Sequence, residues 1–297
     1  MSRTTKPEAA VTEQEREQFA KQGYFVREGV LGVEDVAELR REAAAILELV
    51  LNSSLLLKKR NPRLDAHLLD GGRALVRKVQ PVNDLSLTVA SFSSDSRLVG
   101  PMSELMGDEP MLMEEKLNYK QLVDLCGQEV DLEPKRQTEE VANVAWQLHH
   151  DWGYYRYNGY PQTTMSSAIA LDDCEGRGPI RVVPGSHLLD VELAEPNSGS
   201  GVVARGALGP HPDLVPLNMT AGSVAFFHSM LVHDSEPNRT GEPRRMMIYS
   251  HYPRSHQPAE DPDRRNRPTR DKAGPIEAEY RKMIAAGARP LVPVREG

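Results

Sequence analysis

The sequence is poor in cysteine and in aromatic residues, and it has no long apolar run. Its 297 residues include two cysteines, Cys126 and Cys174, and only 5% aromatic residues. Two distant cysteines provide neither a disulfide framework nor a Cys-x-x-Cys metal site. No apolar stretch approaches the roughly eighteen residues of a membrane span, and the N-terminus lacks the apolar core of a signal peptide. We therefore expect a cytoplasmic protein with no membrane partner.

The chain also lacks a surplus of basic charge. Lys and Arg number 36 against 43 Asp and Glu, which leaves a formal net charge of −7 at pH 7. Nucleic-acid binding usually requires a basic face, so this balance argues against such a partner. We expect a small-molecule substrate instead, bound by a monomer or a homodimer.

Short β-like segments dominate the second half of the chain. They cover residues 164–171, 180–183, 216–219, 223–228 and 246–252, and turns rich in Gly, Pro, Asn and Asp separate them. This pattern predicts a β-sandwich or barrel. Such folds often use a chain of this length as one domain, so we expect a single domain over residues 1–297.

The flanking regions are predicted to be helical or irregular. Thr12 and Glu15 form a capping-box pattern that starts a helix ending at Gly23, a short strand follows, and a second helix begins near Val33. A strand is expected over residues 73–79, a helix over 98–106 and a short helix over 276–286. We expect residues 1–11 to be disordered, residues 253–275 to be loop, and the polar, aperiodic residues 122–145 to form a lid loop.

The strongest chemical signal is the step His149-His150-Asp151. On an extended backbone, residues two apart lie on the same side, so the spacing of His149 and Asp151 pairs an imidazole with a carboxylate. A third ligand from far along the chain would complete a 2-His-1-carboxylate set, which binds one face of a ferrous ion and leaves the other face open.

Six histidines could be that third ligand: His187, His211, His228, His233, His251 and His256. An arginine suits a dicarboxylate cosubstrate because it forms two parallel charge-assisted hydrogen bonds. Arg244 lies eleven residues after His233, and Arg239 lies eleven residues after His228. Spacing alone does not choose between these two pairs.

The chain resembles the phytanoyl-CoA dioxygenase family of Fe(II)/2-oxoglutarate oxygenases, which includes the ectoine hydroxylases. Residues 178–187, Gly-Pro-Ile-Arg-Val-Val-Pro-Gly-Ser-His, are close to that family's Gly-Pro-Leu-x-Val-Ile-Pro-Gly-Ser-His segment. Residues 221–238 match its distal-histidine segment, and residues 118–120 resemble its Asn-Tyr-Lys segment. The resemblance covers about residues 12–255 and favours His233 with Arg244.

This resemblance implies a double-stranded β-helix, a jelly-roll or cupin-like fold, with N-terminal helices packed on one sheet. It implies Fe(II) bound by His149, Asp151 and His233, with O₂ and 2-oxoglutarate as cosubstrates. Arg244, Asn118 and Ser167 would contact 2-oxoglutarate. Residues proposed to contact the substrate are Lys120 and two members of an aromatic cluster that follows the metal motif, Trp152 and Tyr155.

The expected reaction is hydroxylation of a C–H bond in a small-molecule metabolite, with specialised metabolism as the expected context, and with release of succinate and CO₂. Desaturation, epoxidation and epimerisation are alternatives of the same chemistry, and a non-oxygenase metal-binding cupin-like protein is the alternative from another class. The chain departs from the ectoine hydroxylases at Glu114, where those enzymes have Gln, and at Leu148, where the family often has Trp. These departures leave the substrate open.

Overall fold

A computed structural model describes residues 10–69, 71–128, 146, 148–189, 191–194, 203–206, 208, 212–256 and 262–294. Its main feature is a seven-stranded antiparallel sheet with the spatial order β1-β10-β5-β12-β4-β3-β2. In that order, the strands are Tyr24–Arg27, Val224–His228, Met165–Ala170, Met246–Pro253, Pro110–Asp124, Arg73–Val79 and Leu64–Leu69. All six strand pairs in this sheet are antiparallel.

A smaller sheet faces the main one. It contains β11 (His233–Ser235), β6 (Ile180–Val182) and β9 (Val215–Pro216) in that order, while β7 (Val191–Ala194) and β8 (Val203–Gly206) form a separate hairpin. Ile180 and Val182 share an apolar cluster with Ala168, Phe227 and Ile248 of the main sheet. Two antiparallel sheets closed over a common core make the double-stranded β-helix that the sequence predicts.

The outer face of the main sheet is covered by helices, as expected. α1 spans Glu13–Gln22, α2 Val33–Leu56, α3 Leu87–Phe92 and α4 Ser96–Met106. Alternate residues of β5 pack on opposite sides: Met165 and Ile169 belong to the helix-side core, whereas Ala168 and Ala170 belong to the core between the sheets. The period of two therefore decides which side chains can reach the interior of the barrel.

The predicted boundaries of the first helix are confirmed. Thr12 and Glu15 form the capping box, and Gly23 ends α1 with a φ of 84°. Glycine is required there because an added Cβ would lie 2.6 Å from the ring of His187. The expectation of disorder up to residue 11 is wrong at its end, since Val11 is buried.

Two segments predicted as loops contain regular structure. β4 runs to Asp124, so residues 122–124 are strand; the greater part of the predicted lid, residues 129–145, lies outside the described residues. Within the predicted loop 253–275, a 3₁₀ turn covers Pro262–Arg265, and the last α-helix of the described chain, Arg267–Ala285, begins. Its Ile276 and Tyr280 are buried, and Glu277 pairs with the buried Arg63 at 2.8 Å.

Among the helices of the described ranges, none is long and apolar enough to cross a membrane.

Candidate active site

Three side chains predicted as metal ligands lie together between the two sheets. Potential ligand atoms of His149, Asp151 and His233 are all within 4.8 Å of one another, and all three residues are buried. The Nε2 atoms of His149 and His233 lie 3.7 and 3.9 Å from Asp151 Oδ1. This is a facial set of two imidazoles and one carboxylate, arranged to hold one divalent metal ion.

The backbone achieves this arrangement in a way that the sequence did not predict. His149 and His233 form an isolated antiparallel bridge with two hydrogen bonds, 3.0 and 2.8 Å long. Asp151, however, has helical torsions (φ −63°, ψ −35°) and directly precedes the short helix α5, Trp152–Tyr155. The predicted pair is therefore brought together by a bridge followed by a helical turn, and not by two steps along a strand.

The protonation of the site suits a metal. Burial opposes the charge of Asp151, but Lys116, His233 and His149 outweigh it and lower the pKa of the carboxyl group. His233 Nδ1 lies 2.9 Å from the carbonyl oxygen of Leu231. Donation to that carbonyl places the proton on Nδ1, which leaves the Nε2 lone pair available to a metal.

The other candidate histidines are located elsewhere. His228 packs against His187 and Phe19, with ring centroids 5.5 and 6.1 Å away, and burial lowers its pKa to about 4. Arg239, its possible partner by spacing, is exposed. His251 Nε2 lies 3.0 Å from the Ser93 carbonyl and His256 Nε2 lies 2.7 Å from the Gly159 carbonyl; His211 is outside the described residues.

Arg244 is buried at the cavity wall without a carboxylate partner. Its Nε has no hydrogen-bond partner, and Nη1 contacts only the Met246 sulfur, at 3.9 Å, within the described part of the chain. Burial lowers its pKa. The adjacent Arg245 points away, as alternation predicts, and forms a buried bidentate pair with Asp172 at 2.9 and 2.8 Å. Arg244 is therefore the arginine with donors available for a ligand.

Asn118 and Tyr155 also line the cavity. Asn118 lies on β4 opposite Met246, and its buried Oδ1 has no partner in the described structure. The Tyr155 hydroxyl lies 3.1 Å from Ser250 Oγ, which in turn lies 2.8 Å from Ser166 Oγ. Both residues are thus placed where a small molecule could reach them.

Three other predicted contact residues do not line the cavity. Ser167 shares the helix-side face of β5 with Met165 and Ile169, because it is one residue out of step with the inward-facing Ser166. Lys120 donates from Nζ to the carbonyl oxygens of Gly178, at 3.3 Å, and of Glu236. Burial and the charge of Arg244 lower the pKa of Lys120 to about 5.

Trp152 is the third of these residues. Its indole N–H donates to the Tyr160 carbonyl at 3.1 Å, and its ring stacks on His150 with centroids 6.2 Å apart. This half-buried side chain therefore supports the turn after the metal motif and does not form a wall of the cavity.

The cavity has a volume of about 260 Å³, and charged residues line much of it, of which the sequence analysis singled out only Glu114. These residues come from β2, β3, β4 and the 3₁₀ turn: Asp65, Arg77, Lys78, Glu114, Lys116 and Arg265. Glu114, Lys116 and Asn118 occupy every second position of β4 and therefore share its inner face. That alternation is the sequence signal that could have revealed them.

An irregularity in the sheet adds a further charge to this wall. The register between β3 and β4 shifts between Val76 and Lys78. A bulge of this kind changes the direction of neighbouring side chains, so Arg77 and Lys78, although consecutive, both line the cavity.

Comparison with known proteins identifies a family. The model of the phytanoyl-CoA dioxygenase (PhyH) family matches residues 19–246. An ectoine dioxygenase of Nocardia farcinica is 25% identical over 247 residues, which cover 76% of this chain and 72% of the relative. An L-proline trans-4-hydroxylase of Streptomyces griseoviridis is 21% identical, with 93% of each chain covered.

A solved structure supports the fold. The epimerase SnoN from nogalamycin biosynthesis, crystallised with Fe³⁺, alpha ketoglutarate and nogalamycin RO, superimposes with a TM-score of 0.55 at 22% identity. The match covers 81% of this chain and 83% of the other.

Proposed function

Since the chain belongs to the phytanoyl-CoA dioxygenase family and is an Fe(II)- and 2-oxoglutarate-dependent oxygenase, we propose that it hydroxylates a C–H bond of a small-molecule metabolite. The observation that carries this proposal is the combination of three buried metal ligands with one buried, unpaired arginine in the same cavity.

The residues fit the cofactors that this activity needs. His149, Asp151 and His233 would hold Fe(II), and the guanidinium of Arg244 would receive the distal carboxylate of 2-oxoglutarate. Asn118, with a free amide oxygen, borders the same space. With O₂, the bound iron and 2-oxoglutarate supply the oxidising power for C–H cleavage and release succinate and CO₂. The protein positions the substrate and keeps water away from the buried ligands.

Two relatives favour hydroxylation as the outcome, since one is an ectoine dioxygenase and the other a proline hydroxylase. Epimerisation is the second candidate, because SnoN is an epimerase of the same fold. SnoN also belongs to nogalamycin biosynthesis, which supports a substrate from specialised metabolism. A non-oxygenase metal-binding protein would have no need for Arg244, whose burial without a carboxylate partner costs stability unless a ligand compensates it.

Cytoplasmic location and a monomeric or homodimeric state remain predictions of this proposal.

The test is the binding of Fe(II) and 2-oxoglutarate under argon, read as a weak metal-to-ligand charge-transfer band in the visible spectrum. We expect the band in the wild type and its loss in His149→Ala, Asp151→Ala and His233→Ala. His256→Ala is the matched control, because its ring contacts the Gly159 carbonyl and the Tyr252 ring and does not line the cavity in the described structure. A band that survives in all three ligand variants would refute the assignment. Succinate release with candidate substrates then tests the reaction.

A further inference from the structure

Two sets of polar side chains line the cavity. Arg244 and Asn118 lie where the dicarboxylate cosubstrate is proposed to bind. Four cationic side chains, from β3, β4 and the 3₁₀ turn, line the same cavity, and one of them, Lys78, is the cross-strand neighbour of Asn118. Whether these cations are already neutralised decides what kind of substrate the cavity can accept.

Most of the charges are compensated within the protein. Glu114 Oε1 lies 2.7 Å from Lys116 Nζ, and Glu114 Oε2 lies 2.6 Å from Arg265 Nε. Burial raises the pKa of Glu114, but these two cations outweigh it and hold the pKa far below its usual value. Arg77 lies 3.8 Å from Asp65. Lys116 also acts on the Asp151 carboxylate, so Lys116 and Arg265 together face two acidic groups, Glu114 and Asp151.

Lys78 is different because it has no acidic partner. Within the described residues, no carboxylate oxygen lies within 4.0 Å of its Nζ; the ammonium contacts only Gln80 Oε1, at 3.3 Å, and faces the Trp146 ring at 5.4 Å. It is half-buried, and burial lowers the pKa of its ammonium group. A partly buried cation without an acidic partner is costly, and a bound anion would relieve that cost.

The position of Lys78 makes it accessible to a ligand that is bound at the metal. Lys78 pairs with Asn118 across β3 and β4, and both line the cavity that contains the metal ligands. Trp146, whose ring is also 4.0 Å from the Arg77 guanidinium, adds a flat apolar surface beside the ammonium. A charged head at Lys78 and a carbon skeleton along Trp146 would direct the remainder of a small molecule toward the metal.

We propose that the substrate is an anionic small molecule whose carboxylate or phosphonate group pairs with Lys78 Nζ. The proposal rests on the oxygenase function above and specifies its substrate class. The Lys78 ammonium, which has no acidic partner among the described residues, favours an acid over its neutral analogue.

The experiment uses the protein loaded with Fe(II) and 2-oxoglutarate under argon, so that the cosubstrate already occupies Arg244 and an added acid cannot bind there. Calorimetric titrations compare phenylacetate with phenylacetamide and with benzylphosphonate, which share a benzyl group and differ in the charge of the group attached to it. We expect either anion to bind roughly tenfold to a hundredfold more tightly than the amide, the range given by a charge-assisted hydrogen bond. The tighter of the two anions identifies the class of acid.

Lys78→Gln should abolish the preference for the acid and leave the affinity for the amide unchanged. Lys78→Arg should retain the preference, and Lys59→Gln, which removes an exposed lysine, should have no effect. Equal affinity of acid and amide in the wild type, or a preference that persists in Lys78→Gln, would overturn the proposal. The charge-transfer band is recorded in the same samples: its absence from the wild type contradicts the oxygenase function, whereas its presence with equal affinities contradicts only the substrate class.

Discussion

Exchanging the two consecutive arginines for alanine should separate cosubstrate binding from stability. Arg244 and Arg245 are both almost fully buried, but only Arg245 has a carboxylate partner, Asp172. Arg244→Ala removes the group proposed to receive the distal carboxylate of 2-oxoglutarate. Arg245→Ala removes the cation of a buried ion pair and leaves the Asp172 carboxylate with less positive charge near it.

The magnitudes follow from these contacts. Loss of a charge-assisted bidentate pair costs about 1.5–3 kcal/mol or more, so Arg244→Ala should raise the Kd for 2-oxoglutarate roughly tenfold to over a hundredfold. Removing one partner of a buried pair costs about 3–5 kcal/mol of folding stability. Arg40 Nε also lies 3.2 Å from Asp172, so the lower end of that range applies to Arg245→Ala. Arg244→Ala should leave stability unchanged or increased, because it removes a buried charge without a partner.

The assays are titration of the charge-transfer band with 2-oxoglutarate and urea unfolding of the apoprotein. Arg244→Lys and Arg245→Lys serve as charge-conserving controls, and each should recover part of the corresponding loss. The reasoning fails if the two alanine variants weaken 2-oxoglutarate equally, or if Arg244→Ala destabilises the apoprotein as much as Arg245→Ala does.

Two further predictions concern backbone geometry and pH. Gly178→Ala should destabilise the protein by about 1–3 kcal/mol more than Gly176→Ala in urea unfolding. Both glycines have positive φ, but of the two only Gly178 would place its new Cβ against a backbone oxygen, that of Glu236. Equal losses of stability in the two variants would contradict this prediction. Burial lowers the pKa of His251 from 6.5 to about 4, so the unfolded chain binds more protons than the native one between these values. Unfolding free energy should therefore fall as pH is lowered from 6.5 to 4, by up to about 1.4 kcal/mol per pH unit from this residue. The slope should be smaller in His251→Gln, and an unchanged slope would exclude His251 as its source.

The sequence predicted the metal ligands because their identities are local and their motif is specific. His149 and Asp151 come from one short segment, and the resemblance selected His233 over His228. The stated geometry was less accurate, since Asp151 begins a helix. Residue type and spacing can thus identify ligands even when the backbone path between them is predicted incorrectly.

The charged wall of the cavity was missed for physical reasons. β4 carries Glu114, Glu115 and Lys116 in succession, a composition unlike that of a typical strand, and it is stable because partners such as Arg265, distant in sequence, compensate its charges. The inward direction of both Arg77 and Lys78 depends on a register shift. No short window of sequence contains either relationship.

Ser167 illustrates a complementary error. The resemblance to the family predicts which strand contains the contacting serine. A shift of one residue along a strand moves a side chain to the opposite face of the sheet, and here Ser166, not Ser167, faces inward. Residues 276–286 were predicted as a short helix, but the first part of the helix Arg267–Ala285 was predicted as loop because of its Pro, Arg and Asp content. Contacts that stabilise this helix, such as that of Glu277 with Arg63, are remote in sequence.

The bridge between His149 and His233 makes the metal site depend on contact between two remote parts of the chain. Two backbone hydrogen bonds join these residues, and among the described residues the pairing is an isolated bridge. Local opening of those two bonds would therefore separate the two imidazoles without breaking hydrogen bonds of the seven-stranded sheet. Exchange of these two amide hydrogens should for that reason report on the geometry of the candidate metal site itself.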